Sequence, residues 1–165
     1  MATERVPPPR GGGERQILAG MLHYARTAIV RKAEGLTEQQ ARLAPVPPST
    51  MTPAGLVKHL TGTERFWFSI DFAGLDLEHP WPDDDMHGAW ALDEADTLPG
   101  LIEAYKAECA RSDASVAGFD LDDTARAEGM DFQLRYAYAH MIQETARHAG
   151  HLDLLREVLD GTRGQ

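Results

Sequence analysis

The chain has 165 residues, 42% of them hydrophobic and 7% aromatic, with a formal net charge of −10 and a single cysteine. Those values suit one folded domain and exclude a disordered or fibrous chain. The acidic balance works against binding nucleic-acid phosphates or an anionic membrane surface, and solubility alone accounts for it.

Cys109 alone allows no intrachain disulfide, which fits a reducing compartment, so the cytoplasm is the expected location. No run of apolar residues is long enough to span a bilayer. Residues 1–13 hold three prolines and three glycines and lack the apolar core of a signal peptide. They read as a flexible lead-in to one domain covering residues 14–165.

The first helical pattern runs from about Glu14 to Glu34, where Ile17, Met21, Tyr24, Ala28 and Val30 give an apolar side. Gly35 follows as a C′ glycine would. Thr37-Glu38-Gln39-Gln40 reads as a short capped helix, with Thr37 and Gln40 forming a capping box. Prolines 45, 47 and 48 then break regular structure. Thr52-Pro53 restarts it as N-cap and N1. The next long helix carries Leu56, Leu60, Thr63, Trp67 and Ile70, and ends near Gly74. Residues 75–96 read as a long loop with prolines, the acidic run Asp83-Asp84-Asp85, and Trp81 and Trp90. A third long helix is expected over about Thr97–Ala117, then an acidic link from Asp120 to Asp123. The fourth and longest runs from about Phe132 to Leu159, with Gly161 beyond it. Strand signals are weak, and four long amphipathic helices predict an all-α bundle with the long loop between its second and third long helices.

The last helix carries the informative anomaly. Leu134, Tyr138, Met141, Thr145, Leu152, Leu155 and Leu159 form a near-heptad stripe that skips position 148, where His148 stands. Glu144 lies four residues before it and His151 three after it. At about 100° per residue the three fall within roughly 60° of arc. A buried carboxylate requires a partner or a metal. Histidine with carboxylate suits Zn²⁺ and related ions, and i, i+4 spacing lets two side chains share one ion. His59, on the shoulder of the Leu56–Thr63 stripe, is the candidate third ligand. The plainer alternatives are a helix-surface pair for Glu144–His148 and a hydrogen-bonded core residue for His59.

These residues resemble the DinB-like metalloprotein superfamily, and within it the actinobacterial branch of mini-circle proteins and mycothiol-dependent enzymes. The resemblance rests on Leu36-Thr37-Glu38-Gln39-Gln40, on Gly55-Leu56-Val57-Lys58-His59-Leu60, on Glu64-Arg65-Phe66-Trp67-Phe68, and above all on the run from His140 to Asp153. It implies a four-helix bundle holding one divalent metal through His59, Glu144 and His148, with zinc expected ahead of nickel, iron or manganese. Many relatives carry histidine at both last-helix ligand positions; here Glu144 takes the first, as in the mycothiol-dependent maleylpyruvate isomerases. His151 is implied as a fourth ligand, a substrate contact or a group behind the ligands, and it is the candidate for proton transfer. The resemblance also implies a low-molecular-weight thiol as cosubstrate, a small electrophile as its partner, and a homodimer as in many relatives. A hydrolase using metal-activated water, non-haem iron chemistry and a non-catalytic metal site are the alternatives. His23, Tyr24 and His140 are weaker site candidates, His79 and His87 with the three aspartates a remote one, and Cys109 reads as a buried packing residue.

Overall fold

In the computed structural model, residues 6–81 and 90–164 are described. The acidic run Asp83-Asp84-Asp85 and His87 lie outside those residues. The described chain forms α1 (Glu14–Ala33), the short α2 (Glu38–Ala41), α3 (Pro53–Glu64), a π-helical continuation of α3 (Arg65–Phe72), α4 (Leu98–Ser115) and α5 (Leu134–Asp160). This is the all-α, DinB-like bundle expected.

The helix signals sit where their chemistry requires. The Thr37 side chain accepts from the Gln40 amide and the Gln40 side chain returns to the Thr37 amide, closing the capping box. Thr52 caps α3 with Pro53 at its first position, and Thr97 caps α4 with Pro99 at its second. Gly35 and Gly161 end α1 and α5 at φ +89° and +74°, a region that favours glycine.

Two features depart from the sequence reading. Ala28 and Val30 are buried as expected, but Met21 is 42% exposed, and α1 also buries Leu22, Ala25, Arg26, Ile29 and Ala33. The true stripe is interrupted by a charge, Arg26, which pattern reading assigns to the surface. The second departure is the π-helical turn sequence after Glu64, which no composition signal announces.

The ion pairs fix the helix directions. Glu14 meets Arg135 and Lys32 meets Asp153, so α1 and α5 run parallel. Lys58 meets Asp96 and Arg65 meets Glu108, so α3 and α4 also run parallel. Arg26 meets Asp113 while Glu34 meets Lys106, so α1 runs antiparallel to α4 and hence to the α3/α4 pair. A parallel α3/α4 pair needs a crossover connection, and the long loop after Ala73 supplies it.

The core lies in two apolar clusters. One groups Ile29, Leu56, Leu60, Tyr105 and Leu152; the other groups Leu22, Phe68, Phe72, Leu134 and Met141. Arg26 and Glu64 come between them in sequence on both α1 and α3. The two form a buried bidentate pair, Nε to Oε1 at 2.7 Å and Nη2 to Oε2 at 2.6 Å.

Candidate metal centre

His59 projects from α3 toward α5, where the gap in the apolar stripe puts His148 on the buried side and Glu144 one turn earlier. His59 Nε2 stands 3.3 Å from Glu144 Oε1, and His148 Nε2 stands 2.9 Å from the same oxygen. One ligand atom from each of the three residues lies within 4.8 Å of the other two. Donors around one ion at about 2.1 Å stand about 3.5 Å apart, so two imidazole nitrogens aimed at one carboxylate oxygen fit a divalent cation. His148 is 5% exposed, and His59 and Glu144 are half-buried.

The electrostatics agree. The hydrogen bond from His148, then that from His59, hold the Glu144 carboxyl well below the usual carboxylate range, outweighing its partial burial. The two histidines thus favour the ionised form of Glu144.

His151 sits behind His148 rather than beside Glu144: the two Nδ1 atoms are 3.3 Å apart. One must donate and the other accept. With His148 Nε2 turned to a cation, His148 Nδ1 carries the proton and donates to His151. Burial, then the neighbouring His148 and Arg147, push the His151 pKa down, so it is neutral at neutral pH.

Trp81 and Trp90 close the other side. The Trp90 ring stacks on His59 at 4.1 Å and 9°, and Trp81 stands at 6.2 Å and 23°. Trp90 also meets the His148 ring edge-on at 5.2 Å.

The remaining candidates lie elsewhere. His140 packs on Trp67 at 4.0 Å, and burial pushes its pKa down. His79 is exposed and packs against Phe66. His23 is exposed and borders a cleft between α1 and α4, while Tyr24 borders a cleft between α1 and α5. Cys109 packs against the core, and burial pushes its thiol pKa up. Of the three roles expected of His151, its contact with His148 Nδ1 is that of a group behind the ligands. The stacking of Trp90 on His59 was not read from the sequence, because it joins residues far apart in the chain.

Fold and site together define a DinB-like helical bundle with a His-Glu-His candidate metal centre. The family model for Mycothiol-S-transferase matches residues 17–161, and the chain belongs to that family. A search of curated proteins gives no match. Among solved structures, the chain is similar to the "conserved protein of locus from Enterococcus faecalis", with a TM-score of 0.62 over 92% of this chain and 100% of that one. Identity there is 15%, so the likeness speaks for the fold alone.

Proposed function

We propose that the protein transfers a low-molecular-weight thiol of the mycothiol type to a small electrophile, using one divalent metal ion, most suitably zinc, held by His59, Glu144 and His148. The observation that carries this reading is the convergence of two imidazole Nε2 atoms on Glu144 Oε1 in a chain of the Mycothiol-S-transferase family. When bound, the ion lowers the pKa of a coordinated thiol and keeps it as thiolate at neutral pH.

The chain's own residues set the conditions for that chemistry. Two neutral imidazoles and one carboxylate leave a divalent site with one net positive charge, which suits a single thiolate. His151 Nδ1 holds His148 in orientation, and His151 is the group to take up the proton that the thiol gives up, at Nδ1, by releasing its hydrogen bond from His148. Trp90 and Trp81 cover the His59 side and keep water from it.

The test begins with elemental analysis of untagged protein. Near one metal equivalent per chain is expected for the wild type, and loss of it in His148→Ala. The metal-loaded wild type should then form a thioether from mycothiol and an alkyl halide, with the variant at background. Metal-loaded protein that binds no low-molecular-weight thiol would overturn the transferase reading. Ester turnover without added thiol would favour the hydrolytic alternative.

A further inference from the structure

A metal-ligating histidine is normally held by a hydrogen bond from its other ring nitrogen. His148 follows that pattern through His151. His59 does not: its Nδ1 is buried and has no hydrogen-bond partner among the described residues. Something else must fix the ring, and aromatic rings surround it. Trp90 lies parallel to it at 4.1 Å and 9°, Trp81 at 6.2 Å and 23°, and the His148 ring meets it at 5.0 Å and 70°. A near-parallel indole at that distance blocks rotation of the imidazole out of its plane.

The loop can come this close because α3 offers two glycines on the facing side. Gly55 and Gly62 are seven residues apart, two turns on one face, with His59 between them. A Cβ at Gly55 would lie 2.6 Å from the Trp90 carbonyl oxygen. One at Gly62 would lie 2.7 Å from Trp81 Cζ3 and 2.8 Å from Pro80 Cβ. Neither helix position accepts a side chain without moving the loop. Lys58, next to His59 in sequence, pins the loop beyond Trp90 through Asp93 at 2.9 Å and Asp96 at 2.8 Å.

We propose that Trp90 and Trp81 are positioning residues that hold the His59 imidazole in its ligating orientation by stacking, in place of a hydrogen bond to Nδ1, and that Gly55 and Gly62 exist to admit them. This inference rests on the metal-site reading above. It assigns work to the loop that a mere cover would not do.

The experiment has one arm without metal and one with it. In metal-free protein, the His59 ring protons should resonate upfield of ordinary histidine positions, because they lie over an indole face. Trp90→Leu should return them, and Trp90→Phe should keep much of the shift. Titration with Co²⁺, followed by its visible absorption, should show affinity about 10-fold or more weaker for Trp90→Leu, the range typical for removing a group that orients a ligand. Trp90→Phe should bind nearly as the wild type does.

Gly62→Ala carries the test if Trp90→Leu does not fold. The clash with Trp81 and Pro80 opposes alanine's helix advantage of roughly 1 kcal/mol, so the discriminating readout is the metal: a purely structural role predicts unchanged Co²⁺ affinity whatever the stability does. The positioning role predicts weakened Co²⁺ binding. Ordinary His59 shifts in the wild type, or Co²⁺ affinity unchanged in both Trp90→Leu and Gly62→Ala, would overturn the inference while leaving the metal site standing. Wild type that binds no Co²⁺ would overturn the metal site itself, and the inference with it.

Discussion

At the scale of single residues, Arg26 is the costliest group to place. It is 5% exposed, donates to both oxygens of the fully buried Glu64, and reaches Asp113 Oδ1 at 2.8 Å. Burial pulls its pKa down, but the charge and hydrogen bonds of Glu64 more than reverse this and leave it raised. Removing one member strands the other as a buried charge. Arg26→Met or Glu64→Gln should therefore cost about 3–5 kcal/mol, read as a lower urea midpoint with an unchanged slope. Replacing both residues with apolar ones should recover most of that loss. A single variant as stable as wild type would show that the pair is not a closed unit. The same residue marks a limit of legibility. A charge inside an apolar stripe looks like a surface residue until its partner is known, and Glu64 is 38 positions away. His148 was legible for the opposite reason. It fills a gap in a stripe whose other members, from Leu134 to Leu155, are all buried. His59 had no such gap to mark it: its place on the shoulder of the Leu56–Thr63 stripe made it a candidate, and the resemblance strengthened it.

At the scale of elements, α3 and the crossover loop build the site together. The loop's exit toward α4 depends on Lys58 bridging Asp93 and Asp96, and Asp96 also accepts from the Asp93 amide at 2.9 Å. Despite some desolvation, the hydrogen bond from Lys58 and then that from the Asp93 amide hold the Asp96 pKa below its ordinary 3.8. A depressed carboxylate stabilises the fold above its unfolded pKa, and that contribution fades as the pH falls through the folded value. Hydrogen exchange of the amides at 93–98 should therefore speed up as the pH drops below about 4, beyond the intrinsic chemical trend. Lys58→Ala should remove the pH dependence and leave exchange fast throughout. Equal protection in both proteins down to pH 3 would contradict the role given to Lys58. The helix itself and its caps were readable because capping and proline placement are local chemistry. The π-helical stretch was not, because it is a change of hydrogen-bond register, with the Ala73 amide reaching Phe68. The stacking of Trp81 and Trp90 on His59 was not readable either, since it joins residues 22 and 31 positions away through a loop path.

At the scale of the whole molecule, the bundle is two parallel pairs laid antiparallel. The α1/α5 and α3/α4 contacts are the most extensive, and α3 meets α5 far less. The triad spans that thinner seam, with His59 on one pair and Glu144 and His148 on the other. The helical pattern predicted the number of long helices but not this arrangement, because amphipathic faces do not encode direction. A ligand that bridges two pairs in the native state alone stabilises folding by mass action. At a free metal concentration of about 100 times its dissociation constant, that amounts to about 2.7 kcal/mol, or roughly 5–11 °C in midpoint for a domain of this size. Chelation of the metal-loaded protein should lower the melting temperature by that order, and Zn²⁺ should restore it. His148→Ala, already without metal, should not respond to the chelator. If a loaded protein, verified by elemental analysis, melts at the same temperature with and without chelator, the ion does not bridge α3 and α5. It would then be bound at a place other than this seam.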